Sequence, residues 1–158
     1  MTSLSSPLMR RTADIVLDSP LRHTVLVIEC KAWRKSSEQD AAHFRRNLLA
    51  HRLVPATAYF MLVLSTDVYL WKPLAAADAP PDFRAAAKAD LREYLGRIAD
   101  EPQGPSGESL ELAVSSWLSD LASSLREPDP KSEADQMLVT SGLYAQIKGG
   151  IVRTEVDA

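Results

Sequence analysis

At 158 residues, with 46% apolar and 25% charged side chains, the chain is long enough to bury a core as one domain and too apolar to stay disordered. No run approaches the roughly 18 apolar residues of a bilayer span and MTSLSSPLMRR lacks the apolar core of a secretory signal, so no membrane partner and a cytoplasmic location are expected. The single cysteine, Cys30, excludes an internal disulfide and with three scattered histidines argues against zinc, while the net charge of −3 hides ten Lys/Arg against six Asp/Glu in residues 1–72 (+4) and eight against fifteen in 73–158 (−7).

TADIVLD (12–18) alternates weakly and ends at the turn SPLRH, and TVLVIECKAW (24–33) follows as a central strand, so the two are expected to form a hairpin. Ser36 with Gln39 three residues on reads as a capping box, opening a helix with the stripe Ala41, Phe44, Leu48 that runs to about Leu53 and is stopped by Pro55. ATAYFMLVLS (56–65) and VYLWK (68–72) are two further strands around a Thr66-Asp67 turn, giving β-β-α-β-β with a parallel crossover. Beyond the linker LAAADAPPDF, Pro81 and Asp82 suit the start of a helix with the stripe Phe83, Ala87, Leu91, Tyr94, Ile98. After DEPQGPSGES, Leu110, Val114, Trp117, Leu118, Leu121 and Leu125 mark another; residues 133–148 suit a third, ended by Gly149-Gly150; IVRTEV is a tail or short strand. The expected fold class is α/β, a mixed sheet flanked by helices: a core at 10–72, a helical cap at 81–148 and a terminal piece at 149–158.

The strand VLVIECKA places Glu29 and Lys31 inside an apolar run, where desolvating even a paired charge costs several kcal/mol. Alternation puts both on one strand face, with Leu26, Ile28 and Cys30 on the other, so Cys30 reads as a small core residue. Asp14, fifteen residues before Glu29, can meet it through the hairpin. Two carboxylates at about 4 Å repel by about 4 kcal/mol at an effective dielectric near 20, a cost that a divalent cation between them reverses. A neighbouring lysine can hold a water or stabilise developing negative charge. An Asp followed by Glu-x-Lys on the next strand is what metal-dependent phosphodiester hydrolysis needs.

These residues, Asp14 and Glu29-Cys30-Lys31, resemble the PD-(D/E)xK nucleases of restriction-endonuclease-like fold, with Ala13 in place of the proline. The resemblance spans about residues 10–72 and takes in the helix HFRRNLLAH and the strands AYFMLVLSTDVYLW. It implies catalytic roles for Asp14, Glu29 and Lys31, with Mg²⁺ or Mn²⁺ on Asp14, Glu29 and the backbone carbonyl of Cys30. It also implies supporting roles for Asn47 and His51, which stand where several branches carry Gln and Tyr. At 100° per residue from Phe44 these fall at about −60° and −20°, on the buried edge beside Leu48. Arg10, Arg11, Arg34, Lys35 and Arg45 flank the site and would track a nucleic-acid backbone, DNA being the expected substrate. The helix and strand that usually open such a core have no counterpart in residues 1–13, which implies a shortened start, pieces supplied by a second subunit in a homodimer, or a lost part of the site.

Two other classes fit the same residues. A catalytically degenerate module binding nucleic acid or a protein partner follows from the absent opening helix and the altered Asn47 and His51. An assembly domain follows from the acidic, Ala-rich second half. Trp71 and Trp117 read as core rather than as stacking platforms.

Overall fold

The computed structural model describes residues 14–32, 37–51, 54–86, 91–102 and 104–154. Strand β1 (Ile15–Asp18) pairs antiparallel with β2 (Thr24–Cys30), Ile15 opposite Ile28, as the hairpin reading expects. Its turn closes by Ser19 N–H to the His23 carbonyl and Arg22 N–H to the Ser19 carbonyl, both at 2.8 Å. Helix α1 (Glu38–Leu49) then crosses to β3 (Tyr59–Val63), which lies parallel to β2 with Leu62 beside Glu29. β4 (Asp67–Trp71) returns antiparallel to β3.

The cap of α1 is one residue later than the sequence suggested. Ser37 accepts from Asp40 N–H at 3.0 Å, and the Asp40 carboxylate accepts from Ser37 N–H at 3.2 Å. SSEQD contains two overlapping boxes, and the one with a charged acceptor gains from the positive helix end. The helix stops at Leu49 rather than Leu53: Ala50 N–H bonds back to the Asn47 carbonyl at 3.2 Å, a tightened last turn.

The second half departs further from expectation. Residues expected to start a helix at 81 instead include β5 (Phe83–Ala86), antiparallel to β4 at the sheet edge. Asp82 N–H donates to the Leu70 carbonyl and its carboxylate accepts from Lys72 N–H, both at 2.9 Å, so the chain is tied to β4 before a helical turn can form. Helix α2 is only Arg92–Leu95, continued by a 3-10 turn at Gly96–Asp100. Helix α3 (Gly107–Ala122) buries Leu110, Val114, Trp117, Leu118 and Leu121 as expected, but Leu125 lies beyond it and is exposed. The expected helix over 133–148 is two: α4 (Glu133–Thr140) and α5 (Leu143–Ile147), parted at Gly142, whose φ of +87° no regular helix accommodates. The terminal strand exists: β6 (Ile151–Thr154) pairs antiparallel with β1.

The result is an α/β fold, one mixed six-stranded sheet ordered β5-β4-β3-β2-β1-β6 and flanked by helices. One face carries Ile15, Leu26, Ile28 and Met61 against Leu110, Val114 and Trp117 of α3 and against Leu138, Leu143 and Ile147. The other carries Val27, Phe60, Leu62 and Trp71 against Ala41 and Leu48 of α1. Each large side chain so buried contributes about 1.5–3 kcal/mol. Trp71 and Trp117 are fully buried, as core readings require. No helix among the described residues is long and apolar enough to cross a membrane.

Candidate functional site

The hairpin register that sets Ile15 against Ile28 brings the adjoining Asp14 to Glu29, on the face that α1 covers. The two acids are tied reciprocally through backbone. Asp14 N–H donates to Glu29 Oε2 at 2.8 Å, and Cys30 N–H donates to Asp14 Oδ2 at 2.9 Å. Asp14 is 6% and Glu29 0% exposed, so both carboxyl groups accept these backbone bonds in a low-dielectric setting. The hairpin thus brings together the two acids that the sequence singles out.

Lys31 follows at the carboxyl end of β2, where its N–H donates to the Val63 carbonyl at 2.9 Å. Its half-buried side chain sets Nζ 5.8 Å from the centre of the Phe44 ring on α1. The ammonium and the two carboxylates therefore share the α1 side of the sheet, at the carboxyl ends of its parallel pair. Clefts of open α/β sheets form there.

Cys30 points the other way, buried with Leu26 and Ile28. Burial pushes its thiol well above the usual range, and Asp14, Glu111 and Glu29 push it further while Lys31 opposes them. Near neutral pH the group stays a thiol, so only its backbone carbonyl suits a hard cation. Glu111 is the residue that sequence reading missed. Gly107, at the start of α3, lies against the Cys30 carbonyl, where an added Cβ would sit 3.9 Å from the oxygen, and Glu111 is one turn further on the same helix side. No local motif announces it; only the docking of α3 onto β2 brings it near.

The donor set suits Mg²⁺ or Mn²⁺ in kind: carboxylate and carbonyl oxygens, with one or two protein carboxylates being what Mg²⁺ commonly uses while keeping its waters. Among the described residues no group of three or more His, Cys, Asp or Glu side chains converges to hold an ion. Water and substrate phosphate would have to complete the coordination.

Other expected site residues are placed differently. Asn47 and His51 are exposed, not on the buried edge of α1; the buried positions are Ala41, Arg45 and Leu48. The ideal angle from Phe44 misjudged which stripe faces the sheet, because Phe44 itself is only half buried. Arg45, expected on a nucleic-acid backbone, is 6% exposed, and its Nη1 and Nη2 donate to the carbonyls of Ala76 and Ala75 at 2.8 and 3.3 Å. It braces the 75–76 segment from inside the fold and is not on an outer face that a nucleic-acid backbone could follow. Arg10, Arg11, Arg34 and Lys35 lie outside the described residues. Comparison with protein-family models, with curated proteins and with solved structures finds no match to this chain.

Proposed function

We propose that this chain is a metal-dependent nuclease hydrolysing phosphodiester bonds of nucleic acid, DNA first among them, through a site resembling that of PD-(D/E)xK enzymes. The observation that carries this reading is the juxtaposition of Asp14 and Glu29 on adjacent strands with Lys31 on the same face. Asp14, Glu29 and the Cys30 carbonyl are the groups that would hold Mg²⁺ or Mn²⁺. Such an ion, when bound, polarises a phosphoryl oxygen and acidifies its water. Lys31 orients the attacking water and offsets charge building on the phosphate oxygens. The amino end of α3, beside Cys30, adds a favourable dipole for an incoming phosphate. In the sheet, β6 occupies the place beside β1, and α3 packs on the face opposite α1.

The test is cleavage of supercoiled plasmid, single-stranded DNA and RNA by the purified chain in Mg²⁺ or Mn²⁺. Wild type should nick at least one of them and chelator should abolish it. Lys31→Ala should lose about 100-fold or more while remaining folded by circular dichroism, since one ordered general catalyst contributes about that much. Absence of cleavage by folded wild type on all three substrates overturns the proposal. A second reading, a nuclease-like binding module without activity, is favoured by the way each carboxylate already serves a backbone N–H as a staple between β1 and β2. Retained nucleic-acid binding without cleavage would select it.

A further inference from the structure

On the α1 side of the sheet, a cavity of about 380 Å³ opens between α1, the 54–58 segment and the 74–77 segment. Its side-chain walls are mostly apolar, with Leu49, Val54, Phe60 and Leu74 among them and backbone polar groups between, and among the described lining residues Arg45 carries the charge. That guanidinium lies 5.3 Å from the Trp71 ring centre and 5.9 Å from that of Phe60. Of its five N–H donors, one on each terminal nitrogen meets a backbone carbonyl, while the buried Nε has no acceptor. Asp82, the acid whose charge it feels, gives its Oδ2 to Lys72 N–H. Among the described residues no carboxylate is in ion-pair contact with it.

Bracing two carbonyls needs donors, not a full positive charge. The Trp71 and Phe60 rings and the charge of Asp82 offset part of the cost of burying this cation, and a neutral amide would brace the same segment more cheaply. A cation with unused donors at the base of an apolar cavity is matched to an anionic head on a hydrocarbon body. A phosphodiester chain, charged along its length, would leave its charges against apolar walls. We propose that this cavity binds a small amphiphilic carboxylate, its head on Arg45 and its hydrocarbon against Leu49, Val54, Phe60 and Leu74. The volume suits a body of roughly eight to ten carbons, at the small end of ligand sites. This site is separate from the carboxylate pair and stands whether or not the chain cleaves nucleic acid.

Octanoate and its neutral counterpart 1-octanol are the probes, followed by calorimetry and by the Arg45 Nε–H signal in nitrogen-15 spectra. Octanoate should bind saturably, at least tenfold more tightly than 1-octanol, and shift that signal. Arg45→Met should reduce octanoate to the level of 1-octanol. Ala56→Trp, at an exposed position of the cavity wall, should abolish binding of both and leaves the proposal testable should Arg45→Met fail to fold. An unmoved Arg45 signal, equal binding of acid and alcohol, or octanoate binding that survives Ala56→Trp would each overturn it.

Discussion

Replacing Asp14 by Asn should stabilise the protein in the absence of metal. Directly opposed side chains on antiparallel strands have Cβ atoms about 4.5–5.5 Å apart, and two unit charges at about 5 Å repel by about 3 kcal/mol at an effective dielectric near 20. Against that relief, the substituted amide would still accept from Cys30 N–H, but as a neutral group, at a cost of about 1 kcal/mol. Lys31, on the same face, already offsets part of the repulsion. The net expectation is a gain of about 1–2 kcal/mol, or about 3–6 °C in melting temperature for a chain of this size. Thermal denaturation followed by circular dichroism in chelator measures it. If the pair holds the proposed ion, the order should reverse in saturating Mn²⁺, since a ligand of the folded state stabilises by mass action and the variant would bind it far less. A variant that melts below wild type in chelator, with no Mn²⁺ effect on either, would show that Asp14 is a backbone acceptor alone and that the argument from opposed charges fails.

Asp135 is 1% exposed and gathers Trp117 Nε1–H at 2.7 Å, Arg126 Nη1 at 2.9 Å and Asp129 N–H at 2.8 Å, so Asp135→Ala strands a guanidinium and should cost about 3–5 kcal/mol in urea unfolding. Tyr94 should ionise at about 12 rather than 10 in a spectroscopic titration, because burial and its bond to Asp120 outweigh Arg126. Since the folded phenol holds its proton more tightly, that contribution to stability is complete below pH 10 and lost as pH climbs towards 12. An added Cβ at Gly150 would overlap the Asp18 carbonyl oxygen, so Gly150→Ala should undock β6 at a cost of about 2 kcal/mol or more and speed hydrogen exchange in β1.

What the sequence made legible was local. The alternation of VLVIECKA, with Asp14 one hairpin away, was enough to place three side chains on one face, because strand period and turn length settle that geometry without tertiary detail. Phe83 to Ala86 escaped because alanine and arginine favour helix intrinsically, and the edge of β4 overrides the preference. Residues 133–148 read as one helix because Gly142 alone, ambiguous inside an apolar pattern, carries the break through its left-handed backbone. Arg45 reads as a surface cation because nothing beside it in the chain announces the Trp71 and Phe60 rings that cover it. Glu111 depends on the docking of α3, a long-range event with no sequence signature.

Pairing of β6 with β1 joins residues 135 positions apart, as the Arg153 to Asp18 bond shows. During synthesis the β1 edge therefore lacks its partner strand until residues 151–154 have emerged. Such an edge invites another nascent copy, so expression of chains truncated before 151 should yield aggregates rather than a smaller soluble product.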